Sequence, residues 1–179
     1  MTVTVKRMSV IALSAVVICI CSWITVPFTV PFTMQTFAVF FVLLVSGGRD
    51  GTLAVALYIL LGIVGVPVFS GFRGGIGHLM GPTGGYIIGF LFTGLIYMLA
   101  EPWMARQKKV TAFVLLFGLF LCYTVGTLWF SAVYTKTGNP MGVISILSMC
   151  VFPYIIPDLI KMGLAMFLAG RIRKVLIRI

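Results

Sequence analysis

The chain has 179 residues, of which 61% are hydrophobic and only 9% are charged, with a mean hydropathy of +1.19. In a soluble domain roughly a quarter of the residues are charged, so the composition excludes an ordinary soluble protein. It predicts one integral membrane domain over residues 1–179. The net charge of +10 does not indicate a nucleic-acid partner, because the basic residues stand in short groups between apolar runs.

The apolar runs predict an all-α membrane protein with six transmembrane helices. The first follows Lys6 and Arg7 and is taken as a retained helix, because no signal-peptide cleavage motif follows it. The six cover about residues 8–26, 36–46, 52–64, 83–100, 110–133 and, from 153 or 157, to 171, with a short apolar piece at 141–151. The second is short for a span of about 20 residues, so the segment before it must contribute at membrane depth.

The connections carry turn signals. The segment 27–35, PFTVPFTMQ, has two prolines four residues apart, which favour extended backbone. A tight turn is predicted at residues 47–51, a helix end at Glu101–Pro102, and Pro82 in the first turn of the fourth helix. A basic turn is expected at 105–109 and a polar turn at 134–140.

Small residues line one side of the first helix: Ala12, Ala15, Cys19 and Ser22. In lipid such stripes allow helices to approach closely. The stripe therefore packs either against the other helices of this chain or against a partner subunit. The four cysteines lie inside apolar runs without metal-ligand spacing, which indicates small buried residues.

The basic residues define a topology. With both termini in the cytoplasm, ten of the 13 basic residues lie inside. Arg73 and Lys136 lie outside, and Lys161 lies within a helix. This asymmetry follows the positive-inside rule. It places the segment 27–35, the start of the sixth helix and the loop between helices 3 and 4 on the outer side.

That loop, residues 67–86, reads PVFSGFRGGIGHLMGPTGGY and is here called the glycine-rich loop. Eleven of the 20 glycines fall between Gly62 and Gly94, and glycine lets backbone approach a ligand closely. Arg73 either receives a ligand carboxylate or stays with solvent or lipid headgroups. His78 has no second ligand nearby, so no metal is expected, and no phosphate-binding motif is present.

The chain has three acidic residues. Asp50 and Glu101 are expected to be solvated at inner turns, whereas Asp158 lies in an apolar stretch with Lys161 three residues later on the same helix face. Ionisable groups inside a membrane segment indicate a functional site; the alternative is a self-neutralising pair that fixes helix packing. The Asp158 carboxylate accepts hydrogen bonds and the Lys161 ammonium donates them, so the two side chains suit a ligand with an N–H beside a C=O, such as a urea or amide. Gln35 is either an interhelical contact or a ligand contact.

Three classes of function remain open at this point. A solute-binding transporter subunit would need a partner to supply energy, because the chain has no ATP-binding motif. An intramembrane enzyme using Asp158 would lack a second catalytic acid. A channel or proton-coupled carrier would lack an evident inverted repeat.

Three stretches carry a resemblance to a known family: PFTMQTFAV at 31–39, GIVGVPVFSGFRGGIGHLMGPTGGYIIGF at 62–90 and PYIIPDLIKMGLA at 153–165. In their order the chain resembles the BioY family, the biotin-specific substrate-binding subunits of energy-coupling-factor (ECF) transporters. GPTGGY and Pro-Asp-x-x-Lys are the most specific parts.

The resemblance implies a six-helix subunit of a cell membrane, of bacterial origin, that binds biotin from outside. Its partners would be an EcfT-type transmembrane coupling subunit and two ABC-type ATPases, and the chain itself would be neither an enzyme nor dependent on a cofactor. Asp158 would accept from a ureido N–H and Lys161 would donate to the ureido carbonyl. The glycine-rich loop, including Gly75, Arg73 and Tyr86, would line or cover the pocket, with Gln35 contributing. Another small vitamin is the alternative ligand.

Overall fold

The computed structural model describes residues 5–28, 30–104, 107–136 and 142–176, and only the backbone of 173–176. In these ranges eight helices and one short antiparallel ribbon follow one another. They are α1 (Val5–Trp23), β1 (Thr25–Val26), β2 (Phe32–Thr33), α2 (Gln35–Ser46), α3 (Gly48–Val64), α4 (Ile76–Leu79), α5 (Gly84–Met104), α6 (Lys108–Lys136), α7 (Val143–Cys150) and α8 (Phe152–Leu176).

Several of these helices are long and apolar, which confirms the predicted helical membrane protein. In the described part of the chain, four stretches are long and apolar enough to cross a membrane: Val5–Trp23, Gly84–Met104, Lys108–Lys136 and Val143–Ile172. α3 has 17 residues and α2 has 12. At 1.5 Å per residue α2 measures about 18 Å, well short of a hydrocarbon layer of about 30 Å. The count of six crossings therefore stays a prediction.

α2 is the central helix. It packs against α1, α3, α5 and α8, and its residues Ala38, Val39, Phe40 and Leu43 are at most 1% exposed. A helix that is apolar on all sides is stable only inside a protein or a membrane. The sequence QTFAVFFVLLVS thus explains why the shortest candidate span lies where other helices surround it.

Glycines let α5 and α6 approach closely. Gly85 and Gly89 of α5 face α6, while Gly118 and Gly126 of α6 face α5. A Cβ atom at Gly85 would lie 2.3 Å from Trp129 Cβ and 3.1 Å from Gly126 Cα, so no side chain fits there. This is the packing of small residues that replaces a hydrophobic driving force between helices in lipid.

The predicted turn at 47–51 is wrong. Gly47 alone breaks the helix, with φ of 85°, and α3 already begins at Gly48. The Glu101 side chain accepts a hydrogen bond from the Gly48 amide at 3.0 Å. A carboxylate at a helix N-terminus accepts from an otherwise unpaired amide and interacts favourably with the helix dipole. This explains why α3 starts before the predicted residue 52.

Two further details of the predicted inner turns are corrected. α5 does not end at Glu101–Pro102 but continues to Met104, with Pro102 inside its last turn. The fixed φ of proline is helical, and the break that proline favours falls two residues after it. Asp50 is not merely solvated: it pairs with the Arg7 guanidinium, whose Nε lies 2.7 Å from Asp50 Oδ1.

The extended conformation predicted for residues 27–35 is confirmed at β2. β1 lies before that segment, in residues predicted to belong to the first helix, which ends at Trp23 instead. The two strands pair antiparallel, with Thr25 opposite Thr33 and Val26 opposite Phe32. Pro82 precedes α5 rather than lying in its first turn, and α8 begins at Phe152 with Pro157 inside it. The predicted basic and polar turns lie partly outside the described residues, at 105–106 and 137–140.

The small-residue stripe of α1 mostly faces the interior of the protein. Ala15, Cys19 and Ser22 are buried, and Ser22 Oγ donates to the Val68 carbonyl, whereas Ala12 is exposed. Of the two interpretations of the stripe, packing within this chain holds for these three residues.

Candidate ligand pocket

A pocket that is partly open to the outside lies among α2, α5, α6, α7 and α8, beside the β1–β2 ribbon. Like other ligand pockets in proteins, it combines apolar walls with a few polar groups. The polar lining residues are Thr33, Gln35, Thr36, Ser70, Thr83, Asp158 and Lys161, and the aromatic ones are Tyr86, Phe90, Tyr123 and Tyr154.

An ion pair forms one wall of the pocket. Lys161 Nζ lies 2.9 Å from Asp158 Oδ1, one helical turn apart on α8, as the i, i+3 spacing predicts. The two residues are 5% and 4% exposed. Burying an isolated charge is very unfavourable, whereas a paired and hydrogen-bonded charge is tolerated.

Further hydrogen bonds fix both charged groups. Asp158 Oδ2 accepts from the Tyr123 hydroxyl at 2.6 Å. Lys161 Nζ donates to the Thr33 carbonyl at 2.7 Å and lies 3.9 Å from the centre of the Phe32 ring. The carboxylate thus has two donors and the ammonium two acceptors and an aromatic face, so both are held in place before any ligand arrives.

The ribbon is attached to α8 beside the pocket. The Tyr154 hydroxyl donates to the Val30 carbonyl, and the Phe32 and Tyr154 rings stack with centres 6.2 Å apart. Together with the Lys161–Thr33 hydrogen bond, these contacts hold residues 30–33 against the helix that carries the ion pair.

Gln35 and Tyr86, both predicted site residues, line the pocket. Gln35 is 5% exposed, and its Nε2 donates to the Tyr58 hydroxyl at 3.0 Å. The Tyr86 ring packs against Gly126, and its hydroxyl lies 3.4 Å from Thr127 Oγ1. The structure therefore brings four of the six predicted residues together: Gln35, Tyr86, Asp158 and Lys161.

Arg73 and Gly75 lie apart from these four. Arg73 is exposed, and its backbone carbonyl accepts from the Phe69 amide; Gly75 has φ of 90° and its amide donates to the Gly62 carbonyl at 2.7 Å. Neither lines the pocket, to which the glycine-rich loop contributes Ser70, Thr83 and Tyr86. Their contact with a ligand stays a prediction.

His78 lies in the same loop, on α4. Its ring stacks on Phe69 with centres 5.4 Å apart, and its Nε2 is buried without a hydrogen-bond partner among the described residues. Burial lowers the pKa of the imidazole, and the nearby Arg73 guanidinium lowers it further. Within the described ranges no group of three or more metal-ligating side chains is found.

The sequence analysis missed Tyr123, Tyr154 and the Thr33 carbonyl. Tyr154 precedes Asp158 by four residues, which places the two on the same helix face. This spacing could have identified Tyr154 as a residue of the site. Tyr123 precedes Asp158 by 35 residues on another helix, and no local pattern reveals such a contact.

Fold and site together define a helical membrane protein with a pocket that presents one buried carboxylate and one buried ammonium group. The chain belongs to the BioY family, whose sequence profile matches residues 1–178. This confirms the resemblance noted from the three sequence stretches.

Two relatives and one solved structure illustrate the similarity. The probable biotin transporter BioY of Pyrococcus horikoshii is 35% identical over 94% of this chain and 96% of its own length. The biotin transporter BioY of Thermotoga maritima is 38% identical over 86% and 87%. A crystal structure of the S-component for biotin from an ECF-type ABC transporter superposes with a TM-score of 0.80, 29% identity and coverage of 95% and 92%.

Proposed function

We propose that this chain is the biotin-binding membrane subunit, or S component, of an ECF-type importer. The buried Asp158–Lys161 pair in the wall of a pocket is the observation that carries the proposal, in a chain of the BioY family whose relatives are biotin transporters. The chain is a transport subunit rather than an enzyme, so the alternative of Asp158 as an intramembrane acid or base is set aside.

The hydrogen-bonding capacity of the pair fits a ureido ring. Each Asp158 oxygen accepts one hydrogen bond from the protein and has room for another, and Lys161 uses two of its three donors on protein oxygens. Asp158 thus accepts from a ureido N–H while Lys161 donates to the ureido carbonyl. A charge-assisted hydrogen bond is about twice as strong as a neutral one, which favours this end of the ligand as the anchor.

The remaining lining suits the apolar body of the ligand. Tyr86, Phe90 and Tyr154, with Leu119 and Cys122, form walls for a fused ring and an alkyl chain, and Gln35 adds a polar contact. Arg73 and Gly75 are the proposed contacts of the ligand carboxylate. Because neither residue lines the pocket, this part of the proposal requires the glycine-rich loop to move toward the ligand.

In the proposed topology the chain is a single domain that crosses the plasma membrane six times. The crossings are made by α1, α2, α3, α5, α6 and α8. Both termini are cytoplasmic, and the pocket, the ribbon and the glycine-rich loop lie on the outer side. The charge distribution supports this orientation. The ribbon supports the crossing by the short α2, because its two strands pair with each other and Lys161 binds the Thr33 carbonyl, so that backbone groups just before α2 are satisfied by protein.

Energy for import comes from partners in this proposal. The chain has no phosphate-binding motif, and the similar solved structure is a component of an ECF-type ABC transporter. A transmembrane coupling subunit and two ABC ATPases would therefore work with this chain. Among the alternatives, an S component for another vitamin is favoured over a channel or carrier, because a single acid–base pair makes a poor proton relay.

A melting experiment with a panel of vitamins tests the ligand. We expect biotin to raise the melting temperature of the detergent-purified chain, since a ligand bound only by the folded state stabilises it by RT ln(1 + [L]/Kd). Riboflavin, thiamine and folate at the same concentration serve as controls and should leave it unchanged. Stabilisation by one of these and not by biotin would replace biotin as the ligand.

A further inference from the structure

We infer that Tyr123 is a positioning residue that prepares the Asp158 carboxylate for the ligand. Its hydroxyl lies 2.6 Å from Asp158 Oδ2, and its half-buried ring lines the pocket. This inference rests on the proposed function and adds a residue to the same site.

The two hydrogen bonds on Asp158 fall on different oxygens. Lys161 donates to Oδ1 at 2.9 Å and Tyr123 donates to Oδ2 at 2.6 Å. The terminal torsion of an aspartate is otherwise broad, so one partner alone leaves the carboxylate plane free to turn. The second contact fixes the plane, and with it the direction in which the remaining acceptor sites point.

Tyr123 acts on the ligand through Asp158. A phenol has a single donor hydrogen, and here that hydrogen is directed to Asp158. No donor is left for a ligand oxygen. The tyrosine therefore contributes by orienting the carboxylate and by stabilising its negative charge, as partners of a binding group do when they hold it in the productive geometry.

The other tyrosines of the pocket have different partners. The Tyr154 hydroxyl donates to the Val30 carbonyl, and the Tyr86 hydroxyl is near Thr127 Oγ1. Tyr123 is thus distinguished, among the described lining residues, by a hydroxyl that contacts the charged pair.

The test is calorimetry of biotin binding to Tyr123→Phe, which keeps the ring and removes the hydroxyl. We expect affinity to fall about tenfold, because a hydrogen bond to a charged group is lost, while the ligand-free protein stays folded. The control variant is Tyr134→Phe, because Tyr134 is on the same helix but does not line the pocket. This variant should bind biotin with the affinity of wild type. Equal affinity of Tyr123→Phe and wild type would overturn the inference.

A double-mutant cycle separates positioning from a merely structural role. In an Asp158→Asn background the Tyr123→Phe change should alter affinity by about twofold or less, because the charge it serves is already gone. A tenfold loss that persists in that background overturns the inference.

A second variant covers the case in which Tyr123→Phe does not fold. Tyr123→4-aminophenylalanine keeps a hydrogen-bond donor and should bind biotin within about threefold of wild type. If its binding is as weak as that of Asp158→Asn, the inference is overturned. Failure of wild type to bind biotin would overturn the proposed function as well, whereas these outcomes overturn this inference alone.

Discussion

Replacing Asp158 by asparagine is expected to weaken biotin binding by about ten- to a hundredfold. The change removes the charge that accepts from the ureido N–H, and a hydrogen bond to a charged group contributes about 1.5–3 kcal/mol, which corresponds to about one to two orders of magnitude in affinity. It also leaves the Lys161 ammonium buried without its counter-ion, which lowers the stability of the free and the bound protein alike. Calorimetry on the purified chain measures the effect directly.

Asp50→Asn is the matched control. It is the same substitution in an ion pair with Arg7, outside the residues that line the pocket. We expect it to bind biotin like wild type. If a well-folded Asp158→Asn protein also bound like wild type, Asp158 would be a packing residue, and the ligand anchor would have to be sought elsewhere in the pocket.

A methyl group at Gly126 is expected to weaken both the fold and ligand binding. Its Cβ would lie 2.2 Å from Cδ1 and 2.3 Å from Cε1 of Tyr86, far inside van der Waals contact. The Tyr86 ring lines the pocket, so it must move into the ligand space or force α5 away from α6. Overpacking of this kind costs about 1–3 kcal/mol. We therefore expect Gly126→Ala to have a lower melting temperature and biotin affinity at least tenfold weaker.

Gly163→Ala provides the comparison for that result. Gly163 lies in α8, two residues after Lys161, and a Cβ there would meet no atom within 4 Å. Alanine is favoured over glycine in a helix by up to about 1 kcal/mol, so this variant should be as stable as wild type or more stable, with unchanged binding. Wild-type binding by Gly126→Ala would contradict the close approach of α6 to the Tyr86 ring.

The features that the sequence predicted correctly depend on short-range spacing. Asp158 and Lys161 share a helix face because they are three residues apart, and the two prolines near Val30 produced the extended segment. These rules use only the geometry of one helix or one short segment. The ion pair and the extended backbone that contains β2 could therefore be placed before any tertiary contact was known, whereas the pairing of β2 with β1 could not.

The features that were missed are tertiary contacts. Tyr123 meets Asp158 from another helix, and Glu101 extends α3 by accepting from Gly48 across 53 residues of sequence. Arg73 was predicted as a ligand contact because it is a basic residue on the outer side. Its position away from the pocket depends on the path of the glycine-rich loop. Glycine-rich backbone has many accessible conformations, so composition alone does not define that path.

The orientation of biotin in the pocket tests the account most directly. A structure of the chain with biotin bound should place a ureido nitrogen within hydrogen-bond distance, about 3 Å, of an Asp158 carboxylate oxygen, and the ureido oxygen equally close to Lys161 Nζ. The ligand carboxylate should point toward the glycine-rich loop. Biotin bound in reverse, with its carboxylate on Lys161, or bound outside this pocket, would contradict the assignment of the ion pair as the ureido anchor.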